Sequence, residues 1–126
     1  MGIRATGNTA AELYEALGLG LFHLMTDLRR VRPTDERSVS ARSSDPEGLA
    51  VDFLSKLLLL QQLEGFLVRE ISVRAIGRPT TSLVAQLRGE PFDPARHSRR
   101  IEVKAVTMHR LRFDPSKGQA SVIVDI

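Results

Sequence analysis

Cysteine is absent from this chain of 126 residues, which excludes disulfides, thiolate metal sites and cysteine nucleophiles. Tryptophan is also absent and Tyr14 is the only tyrosine, so an aromatic platform for stacking nucleic-acid bases is disfavoured. The leucine run at residues 57–60 is too short to span a bilayer. The opening residues 1–7 lack the apolar core of a signal peptide. We therefore predict a cytoplasmic protein without a membrane partner.

Charge and composition constrain the class of protein only loosely. Eighteen basic residues face fifteen acidic ones, and the net charge of +3 weakly favours an acidic partner such as RNA. Hydrophobic residues make up 42% and charged residues 26% of the chain, which is ordinary for a globular protein. The length fits one domain, and we predict a single domain over residues 1–126.

A capping signal and regular leucine spacing mark the first helix. Thr9 and Glu12 fit a capping box, in which both side chains accept hydrogen bonds from backbone N–H groups at the helix start. We predict this helix over residues 10–26. Gly18 and Gly20 weaken helix propensity and indicate close packing against a neighbouring element. The predicted apolar stripe contains Leu13, Leu17, Leu21, Leu24 and Leu28.

A second helix is predicted over residues 46–63, after a capping Ser or Asp and with Pro46 in its first turn. Gly65 ends it. Apolar residues cover much of its surface, so we expect it to be the most buried helix. The rest of the chain predicts strands at 2–6, 37–42, 68–75, 82–88, 100–113 and 119–126.

Turn residues at 77–79, 91–94 and 114–118 separate the later strands, and the last of these turns predicts an antiparallel hairpin. Because helices come early and strands late, we predict an α+β fold with both helices on one face of a mostly antiparallel or mixed sheet. The sequence contains no glycine-rich phosphate loop, so nothing in it favours a doubly wound nucleotide-binding fold instead.

Two candidate functional groups lie late in the chain. The carboxylate of Asp125 and the main-chain carboxylate of Ile126 are adjacent hard oxygen donors, which suit Ca²⁺ or Mg²⁺. The alternative is an ordinary last strand that frays. Lys104, in the predicted strand 100–113, is placed to meet a phosphate or a carboxylate near a metal. The alternative is a solvated lysine whose stem covers apolar surface.

The turn before that strand is densely charged. Asp93 precedes a proline and is expected to bond the backbone of a tight turn. His97 is a candidate ligand, general base or pH-sensitive contact, and otherwise a side chain that bonds a carbonyl. The stretch from Arg96 to Arg100 is a candidate contact for RNA phosphates. Glu12 and Glu15 form a possible acidic pair, or else a solvated helix face.

Catalytic motifs are scarce. The three histidines lack metal-ligand spacing, and no nucleophile-elbow sequence is present. A metal-dependent hydrolase using Asp125, His97 and Lys104 remains one alternative. A small tRNA- or RNA-binding module acting through the turn from Arg96 to Arg100 is another.

The whole chain resembles the archease family. The most specific matches are residues 89–97 (Gly-Glu-Pro-Phe-Asp-Pro-Ala-Arg-His), residues 102–107 (Glu-Val-Lys-Ala-Val-Thr) and the terminal Val124-Asp125-Ile126. Residues 2–5, 7–12, 22–27 and 49–60 match less specific parts of the family pattern. The family's opening strand, which ends in His-Thr-Ala-Asp and supplies a metal-binding Asp, has no counterpart before Met1. We therefore expect this strand to be truncated.

The resemblance implies a protein that is not an enzyme. Archeases activate the GTP-dependent ligase that joins RNA ends bearing a 2′,3′-cyclic phosphate and a 5′-hydroxyl in tRNA splicing, by promoting ligase guanylylation and repeated turnover. Some are linked to tRNA methyltransferases, so tRNA would be an indirect partner. The resemblance implies that Asp125 and Ile126 are ligands of a divalent metal ion, and that Lys104 is functional. Glu12, Asp93 and His97 lie in matching segments and are further candidates.

Overall fold

The computed structural model describes residues 1–78 and 80–126. Helix α1 spans Ala10–Met25, α2 spans Pro46–Glu64, and a 3₁₀ helix covers Leu28–Arg30. The six strands are β1 (Gly2–Thr6), β2 (Asp35–Arg42), β3 (Phe66–Ile76), β4 (Ser82–Pro91), β5 (Ala105–Asp114) and β6 (Gln119–Asp125). Pro79, part of the predicted turn at 77–79, lies outside the described residues. Among those that are described, no helix has the length and apolar character needed to cross a membrane.

The strands form two antiparallel sheets of three strands each, in the orders β1-β6-β5 and β2-β4-β3. The predicted α+β class is confirmed, although the strands form two sheets instead of one. Helix α1 contacts β1, β3 and β6, and α2 contacts β2 and β5. Each helix therefore packs against strands of both sheets, and their apolar faces meet in a shared core.

Helix α1 begins at the predicted capping signal. The Glu12 N–H donates to Thr9 Oγ1 over 3.1 Å, and Glu12 Oε2 accepts from the Asn8 N–H over 2.8 Å. The predicted close packing at the glycines is also confirmed. A Cβ on Gly18 would lie 2.5 Å from Ile71 Cδ1, a separation that real Cβ atoms do not reach. These contacts bring α1 close to β3 and help to anchor it.

Residues close in sequence also set both ends of helix α2. The Asp45 side chain accepts from the Gly48 N–H at the N-cap, and Gly65 adopts the left-handed conformation (φ 66°) at the C-cap. A glycine tolerates this conformation without a steric penalty. The predicted range of residues 46–63 is therefore correct to within one residue.

Tyr14 lies at the centre of the core, between the two helices and the first sheet. Its ring stacks on Phe113 at a centroid separation of 4.3 Å and meets Phe53 edge-on. Its hydroxyl donates to the Pro46 carbonyl over 2.9 Å. Burial raises the pKa of the Tyr14 hydroxyl well above its ordinary value. The only tyrosine of the chain is thus a core residue.

The predicted strand at residues 100–113 begins late and is interrupted. Strand β5 starts only at Ala105, because the backbone N–H groups of Arg100 and Ile101 bond to the end of α1 instead of to a strand. Within β5, the step from Thr107 to Arg112 corresponds to the step from Ile123 to Ser121 on β6. The predicted hairpin of β5 and β6 is confirmed, but β5 carries a large bulge.

Candidate functional site

A tight turn at residues 93–97 organises one end of the molecule. Asp93 Oδ1 accepts from the Ala95 N–H over 2.9 Å, and the Asp93 carbonyl accepts from the His97 N–H over 2.8 Å. The predicted bond from the Asp93 side chain to the turn backbone is therefore confirmed. The side chain of His97 folds back into the protein from this turn.

His97 is buried, and both of its ring nitrogens are hydrogen-bonded. Nδ1 accepts from the Asp93 N–H over 2.8 Å, which assigns the proton to Nε2. Nε2 lies 3.0 Å from Glu90 Oε2 and donates to it. With neither nitrogen free, this geometry favours a structural role for His97 and speaks against the hydrolase reading, which requires a free ring nitrogen.

Glu90 is the buried charge around which this cluster forms. The Arg96 guanidinium donates two hydrogen bonds to the Glu90 carboxylate, and the Arg32 N–H donates to Oε2 over 2.7 Å. The hydrogen bond from Arg96 is the main reason that the pKa of Glu90 falls from its ordinary 4.5 to about 2, since burial alone would raise it. Sequence reasoning missed Glu90, because an acid at a strand end carries no local sign of burial.

The cluster holds residues 98–101 against the end of α1. The backbone N–H groups of Arg100 and Ile101 donate to the carbonyls of Met25 and Leu24, each over 3.0 Å. Thr26 Oγ1 donates to the Ser98 carbonyl over 2.8 Å. The last helical carbonyls would otherwise lack partners, so this segment caps α1 and fixes its own path in the same contacts.

The arginines of the turn are engaged within the protein. Arg96 binds Glu90, and the guanidinium of Arg99 lies 4.1 Å from the centre of the Phe92 ring. Arg100 Nη1 reaches the His23 carbonyl at 3.4 Å. A cleft of about 600 Å³ opens beside this segment. Its lining comprises Met25, Gln61, Gln62, Gly65, Leu67, Phe92, Ser98, Arg99, Arg100, Ile101, Glu102 and Val103.

Lys104 follows the cleft wall and meets the end of β6. Its N–H donates to the Asp125 carbonyl over 2.8 Å, and its neighbour Ala105 lies opposite Asp125 in the hairpin register. The side chains of Lys104 and Asp125 are exposed, and Ile126 is 56% exposed. Through these backbone contacts the structure places Lys104 beside Asp125 and Ile126, which come much later in the sequence.

The other predicted site residues lie elsewhere. Glu12 caps the other end of α1, about 20 Å along the helix axis from the end that residues 98–101 cap. Asp93 and His97 belong to the buried cluster around Glu90. Glu15 accepts a hydrogen bond from the Val73 N–H of β3 over 2.8 Å, so its carboxylate satisfies the strand backbone and is not part of an acidic pair.

The donor atoms at the end of β6 are oxygens, the type that a hard cation prefers. They are too few to complete its coordination. The Asp125 side chain and the main-chain carboxylate of Ile126 offer oxygens, which Ca²⁺ and Mg²⁺ prefer. No group of three or more His, Cys, Asp or Glu side chains suited to a metal occurs in residues 1–78 and 80–126. A cation held here would complete its coordination with water or with groups from a partner.

Comparison with known proteins places this chain and its fold in one family. The family model described as "Archease protein family (MTH1598/TM1083)" matches residues 1–126. The chain is 38% identical over 116 residues to protein archease of Thermococcus gammatolerans, covering 90% of this chain and 81% of the relative. It is 30% identical over 130 residues to protein archease of Pyrococcus abyssi, covering 100% and 92%.

Solved structures agree with this assignment. The solution structure of protein 1598 of Methanobacterium thermoautotrophicum superposes with a TM-score of 0.82 at 32% identity, covering 99% of this chain and 91% of that one. A crystal structure described as an archease, possible chaperone, from Thermotoga maritima shares the fold, with a TM-score of 0.64 at 18% identity and coverage of 100% and 90%. The chain belongs to the archease family, as the sequence motifs predicted.

Proposed function

We propose that this protein is a non-catalytic accessory protein that activates a GTP-dependent RNA ligase, the enzyme that joins 2′,3′-cyclic-phosphate and 5′-hydroxyl ends in tRNA splicing or RNA repair. The observation that carries the proposal is the exposed group of Lys104, Asp125 and Ile126, on a chain that belongs to the archease family. These three side chains stand at the surface, where a partner can reach them.

The chemistry of this group suits a contact with phosphate. The Lys104 ammonium is a compact, mobile charge on a flexible stem, and its side chain makes no hydrogen bond or salt bridge to any residue that the structure describes. Inserted beside the phosphates of GTP in the ligase, it would stabilise the negative charge that develops during nucleotidyl transfer. The backbone bond from Lys104 to Asp125 fixes where this charge is presented.

A divalent cation is part of the proposal. Asp125 and the main-chain carboxylate of Ile126 would hold it, and when bound it would neutralise phosphate oxygens next to Lys104. Calorimetric titration of Ca²⁺ and Mg²⁺ into the protein tests this step. Binding that disappears in Asp125→Asn supports the assignment, and equal binding by the variant contradicts it.

Ligase guanylylation is the direct test of activation. Purified ligase from the same organism is incubated with radiolabelled GTP, with and without this protein, and the covalent nucleotide on the ligase is counted. We expect the protein to raise the rate, and Lys104→Ala to lose at least about tenfold of that stimulation. Lys117→Ala, which removes an exposed lysine from the β5–β6 turn, is the matched control. A rate that the protein does not change contradicts the proposal.

The alternative of an RNA-binding module acting at the turn from Arg96 to Arg100 has less support. Arg96 is bound to Glu90, Arg99 lies on Phe92, and Arg100 is bonded to the end of α1. An RNA phosphate would have to displace these contacts before it could bind there.

A further inference from the structure

The outer face of the sheet β1-β6-β5 is an open surface. Along β6, Ala120, Val122 and Val124 are buried toward the helices, whereas the alternate residues point outward. The strands on either side alternate in the same way, with Ile3 and Ala5 of β1 buried. The outward residues form a surface independent of the cleft and of the Glu90 cluster.

Two arginines flank a serine on this surface. Arg4 of β1 and Arg112 of β5 both lie opposite Ser121 of β6, one on each side. Neighbouring strands are about 4.8 Å apart, so the backbones of the two arginines stand roughly 10 Å apart across the sheet. Cross-strand partners project to the same face, which makes this row Arg-Ser-Arg a continuous polar stripe.

The charges of this stripe are not neutralised within the protein. Arg4 and Arg112 are exposed, and neither side chain has a salt bridge or hydrogen bond to a residue that the structure describes. The nearest acid along β5 is Asp114, whose carboxylate turns away to accept from Ser116 Oγ and the Lys117 N–H. The guanidinium forks are therefore available to an external anion.

The other open sheet face shows the opposite arrangement. On β2-β4-β3, Arg88 forms a salt bridge of 2.7 Å with Glu36, and Arg74 donates to Gln86 over 3.1 Å. Gln86 in turn donates to Glu36. Both faces are exposed sheets that bear arginines, but on the second Glu36 pairs with Arg88, whereas Arg4 and Arg112 on the first have no salt bridge to a residue that the structure describes.

The bulge in β5 adds a third free arginine next to the stripe. Residues 108–111 all lie between the paired positions Thr107 and Arg112. Arg110 adopts φ 51°, a left-handed conformation that is unfavourable for a residue with a side chain. Bulges and strained residues cluster at functional surfaces, where they direct a side chain. Here the exposed guanidinium of Arg110 lies two residues from Arg112.

We propose that this face, formed by Arg4, Ser121 and Arg112 with Arg110 in the adjacent bulge, binds the sugar-phosphate backbone of RNA. Guanidinium forks match phosphate oxygens in pairs, and the Ser121 hydroxyl can donate to a phosphate between them. The stripe has no aromatic ring for base stacking and no apolar anchor of the kind that dominates protein interfaces. Binding is therefore to the backbone, independent of base sequence.

The face also leads to the proposed site of ligase activation. Ser121, Ile123 and Asp125 lie on the same side of β6, and four residues of strand span about 13 Å. RNA held by the arginines could thus run toward Asp125 and Lys104. In this respect the inference rests on the proposed function and assigns a substrate-holding surface to it.

Fluorescence anisotropy with a labelled single-stranded RNA, in the absence of ligase, tests the inference. The double variant Arg4→Ala/Arg112→Ala is compared with Arg42→Ala/Arg74→Ala, which removes the same charge from the outer face of the other sheet. We expect the first to weaken binding by about tenfold or more and to lower the slope of log affinity against log salt by about 1.4, since each phosphate contact on a single strand contributes about 0.7. We expect the control to change affinity less than about twofold. Circular dichroism verifies that both variants are folded.

Three outcomes overturn the inference. The first is that the wild-type protein does not bind RNA. The second is that the two double variants weaken binding equally. The third is that Arg4→Ala/Arg112→Ala binds RNA normally but no longer binds the ligase in a pull-down without RNA. The last result would assign the face to an acidic protein surface. Because no ligase is present in the anisotropy assay, failure of ligase activation with normal RNA binding would refute only the proposed function.

Discussion

Replacing Glu90 with glutamine should destabilise the protein strongly and in a pH-dependent way. The substitution keeps the size of the side chain but removes the charge that Arg96 grips and that His97 and Arg32 contact. Breaking a buried ion pair leaves the remaining partners incompletely satisfied, which is more costly than the loss of an exposed pair. The Glu90 side chain is only 8% exposed, whereas Arg96 is 30% exposed, so the pair is partly shielded from solvent.

The pKa of Glu90 sets the magnitude and the pH range. The drop from 4.5 to about 2 means that folding favours the charged carboxylate. Each unit corresponds to about 1.4 kcal/mol, so the charge contributes roughly 3–4 kcal/mol at most at neutral pH. Because the folded pKa is lower than the unfolded one, this contribution is complete above about pH 4.5 and is lost as the pH falls toward 2.

Urea denaturation of the wild type and Glu90→Gln between pH 7 and pH 3 measures this effect. We expect a difference of about 3 kcal/mol at pH 7, or roughly 10 °C in Tm, that shrinks steadily below pH 4.5. Glu64→Gln is the matched control, since the pair of Glu64 with Arg37 is more exposed and should contribute less than about 1 kcal/mol. A difference for Glu90→Gln that is small, or that does not change with pH, would show that the Glu90 charge does not stabilise the fold.

Three further predictions concern single residues. Gly89→Ala should destabilise the protein by more than about 3 kcal/mol in urea denaturation, since its Cβ would lie 1.8 Å from the Leu67 carbonyl oxygen; a milder loss would show that β3 and β4 can separate there. Lys104→Ala should change the free energy of unfolding by less than about 0.5 kcal/mol while impairing ligase activation, and a large loss of stability would instead indicate a structural lysine. Arg110→Gly should have a Tm equal to or above the wild-type value, because glycine adopts φ 51° without strain, and a lower Tm would contradict strain at this residue.

The local elements of the fold were predictable because their signals are local. Thr9 and Glu12 cap α1, and Gly65 ends α2 in the left-handed conformation, as their sequence contexts indicated. The hairpin of β5 and β6 followed from the turn between them. It is this hairpin that brings Lys104 next to Asp125, so the contact could be anticipated from the turn and the strands on either side of it.

The features that were missed depend on partners far along the chain. Residues 100–104 do not continue β5, because Arg100 and Ile101 bond to the end of α1, more than 70 residues earlier. Glu90 is buried only because Arg32, Arg96 and His97 converge on it. The division of the strands into two sheets likewise depends on how both helices pack between them. No periodicity or short motif encodes such long-range contacts.

The proposed activation of an RNA ligase is tested most directly by the number of RNA molecules joined per ligase molecule. The assay uses RNA ends with a 2′,3′-cyclic phosphate and a 5′-hydroxyl, with GTP in excess. We expect repeated turnover when the protein is added, and a return to the level of ligase alone when Lys104→Ala replaces it. Equal turnover with and without the wild-type protein would show that the protein does not activate the ligase.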